Sequence, residues 1–216
     1  MSNYTGNIYT TNSSGKLEIT KYINHRNVEV RFIDTGYQAT VRMDNIRRGG
    51  VKDPLYPSVY GVGFIGVGSY KVSTKGKVDK SYKAWHSMLE RCYSEGVQNR
   101  YPTYIGCAIC EEWRNYQLFA KWYYENYPDD GGKYELDKDI LVDGNKVYSP
   151  ETCLLVSHAE NSVKANAKSY MLRSPDGVVT EVYNLSKFCR DNCLHRGRMS
   201  DVSSGKAKQH KGWSLA

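Results

Sequence analysis

The sequence contains no run of about 18 apolar residues, the length that a membrane-spanning helix needs. Its first residues, Met1-Ser-Asn-Tyr-Thr-Gly, lack the basic and then apolar pattern of a signal peptide. Its six cysteines form no dense framework of the kind that staples small secreted domains. We therefore expect a cytoplasmic protein without a membrane span.

Phenylalanine is also scarce, with four residues, whereas tyrosine occurs 19 times. Tyrosine covers apolar surface and keeps a polar hydroxyl, so this bias favours wet, adaptable contact faces. Hydrophobic residues make up 40% of the 216 residues. That fraction can bury a core in one large domain or in two to three small ones.

The net charge of +7 is unevenly distributed along the chain. Residues 1–72 hold nine Lys or Arg and five Asp or Glu, a net +4, and residues 164–216 hold ten and four, a net +6. Residues 73–163 hold eleven and fourteen, a net −3. Basic flanks around an acidic centre suit a metal-dependent nuclease that grips phosphates outside and a cation inside, and ordinary surface charge is the alternative.

Residues 1–72 predict a small β-rich module followed by a Gly-rich connector. Apolar residues from Leu17 to Val41 alternate like short antiparallel strands. Five arginines are candidates to dock on a DNA backbone, or else form the solvated face of a bracing module: Arg26, Arg31, Arg42, Arg47 and Arg48. The glycines from Gly61 to Gly68 precede neither Gly-Lys-Ser/Thr nor a helix, so we interpret them as a connector and not as a phosphate-binding loop.

Residues 73–163 begin with two amphipathic helices. Trp85, Met88 and Leu89 fall at helical spacing, and a second apolar stripe predicts a helix over residues 111–127. Arg91 lies off the first stripe, where it is either a phosphate contact or a plain surface arginine.

A strand, loop, strand and helix are predicted next, within 28 residues. The first strand runs from Tyr134 to Val142, and Asp143-Gly144-Asn145 supplies turn chemistry. A loop around Ser149-Pro150 leads to a second strand over Cys153-Leu-Leu-Val156. Ser157 is the expected N-cap of a helix that carries Asn161.

This segment resembles the ββα-metal core of phage HNH endonucleases, in the branch whose motif runs Leu-Asp-Arg-Ile-Asp, Gly, Tyr-Ser-Pro-Glu-Asn-Cys. The Trp-x-x-Met-Leu-x-Arg-Cys start and the segment Cys110-Glu-Glu-Trp113 are similar as well, so the resemblance covers about residues 82–163. Asp137 matches the metal-binding Asp of the first strand, and Asn161 matches the metal-binding Asn of the helix. Lys138 stands where the family has its His general base, and Thr152 where it has its middle Asn.

The resemblance implies a Mg²⁺ ion, or another divalent cation, held by Asp137 and Asn161. Asp139 shares a strand face with Asp137 and is a further candidate ligand, because hard cations prefer oxygen. The proton acceptor is either Lys138 or His158, and histidine is the better base near neutral pH. The alternative for His158 is an exposed residue at a helix start.

Cys107 and Cys110 have the spacing of zinc ligands, but a four-ligand site needs a second pair. Cys92 and Cys153 are not paired by spacing, and buried free thiols are common. We favour free thiols over a structural Zn²⁺ ion.

Residues 164–216 predict a hairpin that turns at Pro175-Asp176-Gly177, then a helix capped by Asn184 and a second short, basic helix, which is typical of a helix-turn-helix. The stretch closely resembles the C-terminal DNA-binding repeat of phage intron-encoded nucleases, with its Ser-Pro-Asp-Gly opening and its His-Lys-Gly-aromatic close. In that setting Arg196 and Arg198 would contact base edges. Four lysines would contact phosphates: Lys187, Lys206, Lys208 and Lys211.

Taken together, these patterns predict an α+β chain with a small N-terminal β module (1–72), an HNH-like nuclease domain with flanking helices (73–163) and a helix-turn-helix-like module (164–216). The expected function is Mg²⁺-dependent hydrolysis, by nicking or cleavage, of double-stranded DNA by a homing-type endonuclease in the host cytoplasm. The alternative is a decayed nuclease that binds DNA without cutting it. The oligomeric state cannot be read from the sequence, and a monomer is favoured.

Overall fold

The chain folds into a mixed α+β structure, which confirms the predicted fold class. The computed structural model describes residues 4–139, 141–142, 144–157 and 168–216. Its helices are α1 Met43–Arg47, α2 Lys80–Tyr93, α3 Glu95–Arg100, α4 Tyr116–Asn126, α5 Leu185–Asp191 and α6 Arg196–Ser203. Its strands are β1 Ile8–Thr10, β2 Lys16–Asn24, β3 Asn27–Phe32, β4 Gln38–Val41, β5 Ser73–Thr74, β6 Lys77–Val78, β7 Ala108–Ile109, β8 Tyr134–Asp137, β9 Val147–Tyr148, β10 Leu154–Ser157, β11 Tyr170–Arg173, β12 Val179–Val182 and β13 Ser214–Leu215.

Two compact units make up the chain, Met1–Leu155 and Val156–Ala216. The division into modules at 72/73 and 163/164 stays a prediction. None of the helices in the described ranges is long and apolar enough to cross a lipid bilayer.

The first unit begins with the predicted antiparallel strands, which form a sheet in the order β1-β2-β3-β4. Side chains on successive residues of a strand point to opposite faces, so alternate apolar residues share one face. Leu17, Ile19, Val28 and Val30 are buried on that face, together with Met43 and Ile46 of α1. The opposite face is polar, and across it Arg31 pairs with Glu18 at 3.1 Å.

The Gly-rich segment after this sheet packs on the helical core of the unit. A Cβ atom at Gly63 would lie 2.5 Å from Leu89 and 2.8 Å from Trp85. One at Gly66 would lie 2.0 Å from the side chain of Asn115. The glycines therefore permit close packing on α2 and on the start of α4, and the segment is more than a linker.

The main core of the unit lies between α2 and α4. Trp85, Met88 and Leu89 are fully buried, as the helical spacing predicts, and Trp85 Nε1 donates to the carbonyl of Trp113 at 2.7 Å. The helix predicted over residues 111–127 is interrupted, because Glu112–Arg114 form a 3₁₀ turn and Asn115 caps α4 by accepting the N–H of Gln117 at 2.9 Å. The Asn115 cap therefore separates the 3₁₀ turn from α4, where a continuous helix was predicted.

The second unit contains a three-stranded sheet in the order β12-β11-β13. Helices α5 and α6 lie between β12 and β13 in the chain. Asn184 caps α5 by accepting the N–H of Lys187 at 2.9 Å, as predicted. The buried core is small: Leu172, Val182, Cys189, Met199 and Val202.

Candidate functional site

Asp137 is the last residue of β8, and its carboxylate is held by the turn that follows. Its Oδ1 accepts the backbone N–H of Asp139 at 2.8 Å, a local bond that Asp commonly makes at turns. The same bond ends the strand five residues before the predicted end at Val142. Among the described residues Oδ2 of Asp137 has no hydrogen-bond partner, and the side chain is half-buried. The turn therefore orients one side of the Asp137 carboxylate.

Lys138, the next residue, points inward. It is only 6% exposed, and its ammonium lies 2.6 Å from Oδ1 of Asp139. Nζ also donates to the backbone carbonyl of Asn145 and lies 5.9 Å from the centre of the Tyr148 ring. The predicted metal ligand Asp139 is thus paired with the predicted base Lys138.

Asn145 joins the two ends of this loop. Its Nδ2 donates to the carbonyls of Lys138 at 2.9 Å and of Val147 at 2.7 Å, and its Oδ1 accepts the N–H of Val147 at 3.1 Å. Because Lys138 donates in return to the carbonyl of Asn145, side chains from both ends bridge the loop. The sequence suggested only turn chemistry at Asn145.

Thr152 closes the loop between β9 and β10, and the sequence resemblance aligns it with the middle Asn of HNH proteins. Its hydroxyl donates to the carbonyl of Val147 at 2.7 Å and accepts the N–H of Ser149 at 3.2 Å. The next residue, Cys153, directly precedes β10, which pairs with β8. Burial raises the pKa of Cys153 to about 11, and the negative charge of Asp137 adds to the shift.

Arg91 reaches this loop from α2. Its guanidinium donates to the hydroxyl of Tyr148 at 3.3 Å and to Ser87 at 3.3 Å, and it lies 5.8 Å from the centre of the Tyr104 ring. Burial would lower the pKa of Arg91, but Tyr148 and Tyr104 offset this and leave it raised. Arg91 is therefore half-buried, lies against the Tyr104 ring and holds the hydroxyl of Tyr148. Its predicted contact with a phosphate stays a prediction.

The four cysteines of the first unit are free thiols. Burial raises the pKa of Cys92 to about 12, so this thiol stays protonated at neutral pH. Within the described ranges no group of three or more His, Cys, Asp or Glu side chains is placed to hold a metal ion. His158 and Asn161, the predicted base and the predicted amide ligand, lie outside the described residues.

A surface cavity of about 570 Å³ lies beside α4 and was not anticipated from the sequence. Lys80 and Tyr127 line it, and the Lys80 ammonium lies 3.3 Å from the centre of the Tyr127 ring. Asp129 also lines the wall. Residue spacing does not signal this cavity, because the cavity depends on how the loop after α4 folds.

The predicted DNA-contacting side chains of the second unit are all exposed, and they fall into two groups. Three have intramolecular partners: Arg196 donates to Ser186 at 2.8 Å, Lys187 pairs with Asp191 at 2.6 Å, and Lys211 donates to the carbonyl of Cys193 at 2.9 Å. The side chains of Arg198, Lys206 and Lys208 make no hydrogen bond or ion pair with any residue that the structure describes. Of the six predicted contacts, these three leave their charge exposed and unpaired among the described residues.

Comparison with known proteins yields one remote structural neighbour. No protein-family model matches the chain, and no curated protein matches its sequence at a significant level. A solved structure of DNA binding and cleavage by the HNH homing endonuclease I-HmuI aligns with 98% of this chain and 87% of its own, at 15% identity and a TM-score of 0.22. A TM-score this low does not define a shared fold, so the function proposed below rests on the residues of this chain.

Proposed function

We propose that the chain is a divalent-cation-dependent DNA endonuclease of the HNH type, which nicks or cleaves double-stranded DNA at a recognised site. The observation that carries the proposal is the carboxylate of Asp137. It lies at the end of a short strand, one oxygen is fixed by the Asp139 N–H, and the other has no partner among the described residues. A second strand, β10, pairs with β8 beside it.

The donor set suits a hard cation. Asp137 supplies a carboxylate oxygen, and the predicted second ligand, Asn161, supplies an amide oxygen, which are groups that Mg²⁺ accepts in proteins. When bound, such an ion polarises the scissile phosphate and stabilises the charge that develops on the leaving 3′ oxygen. His158 is the better candidate to accept the proton of the attacking water, because Lys138 is engaged by Asp139 and Asn145.

The second unit supports a DNA substrate. Arg198, Lys206 and Lys208 are exposed cations without partners among the described residues, in a segment with a net charge of +6. Exposed lysine and arginine side chains bind DNA by displacing counterions from its phosphates. Arg198 follows the start of α6, where a side chain can reach base edges if that helix enters the major groove.

The second candidate function is binding without cleavage. It is favoured by one observation, the burial and pairing of Lys138 at the position where HNH proteins carry their histidine base. A protein that kept its DNA contacts but lost its proton acceptor would retain affinity and lose turnover.

Nicking of supercoiled plasmid, with and without Mg²⁺, separates the two functions. We expect wild type to nick only with the metal, and Asp137→Ala to lower the rate by about 100-fold or more, because changing the groups behind a metal ligand already costs about 10- to 100-fold. Asp176→Ala, which removes an exposed carboxylate from a hairpin turn of the second unit, is the matched control and should nick like wild type.

Equal DNA retention by wild type and Asp137→Ala, with no metal-dependent nicking by either, would establish the non-catalytic alternative. Nicking that survives in Asp137→Ala would refute the proposed role of this carboxylate.

A further inference from the structure

Lys138 is a charged residue almost fully withdrawn from water. Burying an ammonium is costly unless it is paired and hydrogen-bonded, so its partners show what holds it there. Those partners are the carboxylate of Asp139 at 2.6 Å, the backbone carbonyl of Asn145 and the face of Tyr148 at 5.9 Å. Each lies on the turn after β8 or on β9, which follows it.

These contacts engage Lys138 as a hydrogen-bond donor. A lysine ammonium has three N–H donors and no acceptor. Here one donor is used by a carboxylate and another by a carbonyl, while the charge lies over an aromatic ring. The side chain is arranged to hold neighbouring groups, and water would have to displace these partners to reach it.

The groups that Lys138 contacts are bonded in turn to Asp137. Lys138 fixes the Asp139 side chain, and the Asp139 backbone N–H fixes Oδ1 of Asp137 at 2.8 Å. Asn145 closes the arrangement by donating to the carbonyl of Lys138 at 2.9 Å. Three consecutive residues and one loop asparagine thus set the orientation of a single carboxylate.

We infer that Lys138 is a positioning residue of the proposed metal site: its ammonium is the counter-ion of Asp139 and fastens the loop at Asn145 to β8. Asp137 is then the carboxylate that faces the cation, and Asp139 serves as the partner of Lys138. The inference rests on the proposed function for the identity of the site. The coupling of Lys138 to Asp139 and Asn145 stands on the contacts themselves.

Two other roles for Lys138 give different outcomes. A proton acceptor or a direct phosphate contact would be needed whatever residue occupies position 139. A counter-ion of Asp139 would be needed only while Asp139 is charged. The distinction is therefore a coupling between two side chains, which a double-mutant cycle measures.

The cycle uses Lys138→Met, Asp139→Asn and the double variant, which has the same net charge as wild type. The first change removes the ammonium that is bonded to the Asp139 carboxylate, and the second removes the carboxylate that is bonded to the buried ammonium. We expect each single variant to lower Mn²⁺ affinity, titrated on DNA-free protein, and plasmid nicking by about tenfold or more, the usual effect of disturbing groups behind a metal ligand. The double variant should lose less than either single one.

Lys138→Arg adds a conservative test, because arginine keeps the charge and can still pair with Asp139. It should retain more Mn²⁺ affinity than Lys138→Met. A double variant that is as impaired as Lys138→Met, or whose loss is the product of the two single losses, would overturn the inference.

Hydrogen exchange of residues 144–148 in metal-free protein separates this inference from the proposed function. Lys138→Met and Asp139→Asn should each speed exchange in this segment, and the double variant should restore protection. If wild type neither binds Mn²⁺ nor nicks DNA, the proposed function fails while the exchange result still tests the coupling. Unchanged exchange in Lys138→Met would overturn the coupling whatever the protein does to DNA.

Discussion

A single hydroxyl closes the loop between β9 and β10. Thr152 both donates to the carbonyl of Val147 and accepts the N–H of Ser149, and in the sequence resemblance to HNH proteins it takes the position of their middle asparagine. An asparagine side chain also has a donor and an acceptor, on separate atoms, whereas the threonine hydroxyl combines them on one oxygen. The shorter Thr152 side chain therefore makes both hydrogen bonds of this loop with one oxygen atom.

Thr152→Val tests this closure, because valine keeps the shape and removes the hydroxyl. We expect the free energy of unfolding to fall by about 1 kcal/mol or somewhat more, since a carbonyl and an N–H lose their partner in a half-buried loop. Thr152→Ser keeps the hydroxyl and should lose less. Urea denaturation of the two variants beside wild type measures the difference, and equal stability of all three would show that water replaces the hydroxyl without cost.

At the scale of elements, caps and turns decided where helices and strands end, and apolar spacing decided which face they bury. The spacing of Trp85, Met88 and Leu89 predicted the buried side of α2. The sequence pattern also predicted a helix that continues across Asn115, where a cap begins α4. It predicted a strand that continues past Asp137, where a turn ends β8. Both errors come from side chains that bond to nearby backbone and compete with regular structure.

The burial of Lys138 was beyond sequence reasoning for a related reason. Lysine is almost never fully buried unless it is paired, and its partner carbonyl at Asn145 is seven residues away. Only the folded loop brings the two together. The role of Asp137 as a metal ligand comes from its position in the motif and stays a prediction, and the structure adds the bond that orients its carboxylate.

The N-cap of α2 gives a test at this scale. Asp79 accepts the N–H of Ser81 at 2.8 Å and bonds to the hydroxyl of Tyr124, which lies on α4. Asp79→Ala should lower the free energy of unfolding by about 1–2 kcal/mol, whereas Asp79→Asn preserves an acceptor at the cap and should lose less. Thermal or urea denaturation measures both.

The same carboxylate predicts a pH dependence. Burial alone would raise the pKa of Asp79, but hydrogen bonds from Ser81 and Tyr124 outweigh it and hold the pKa below its usual value. A lowered folded-state pKa means stability that is fully present above the unfolded value, about 3.9, and lost as the pH falls through the folded value. The advantage of wild type over Asp79→Asn should therefore shrink below about pH 4. An advantage that is constant between pH 3 and pH 7 would contradict the assignment.

At the scale of the whole molecule, charge is divided along the chain. Residues 164–216 carry a net +6 and residues 73–163 a net −3, so electrostatic binding of DNA should depend on the basic segment. Lys206 and Lys208 are exposed there without partners among the described residues. Lys83 and Lys133 are exposed in the acidic segment, likewise without partners among the described residues, and provide a matched pair.

Each lysine that neutralises a phosphate adds about 0.9 to the slope of the logarithm of the binding constant against the logarithm of salt concentration. Lys206→Ala with Lys208→Ala should therefore flatten that slope by roughly 2, measured by fluorescence anisotropy of a labelled duplex over a range of NaCl concentrations. Lys83→Ala with Lys133→Ala removes the same number of charges from the full chain and should leave the slope unchanged. Equal flattening by both pairs would mean that DNA responds to total charge alone, and that the basic segment has no privileged role in holding it.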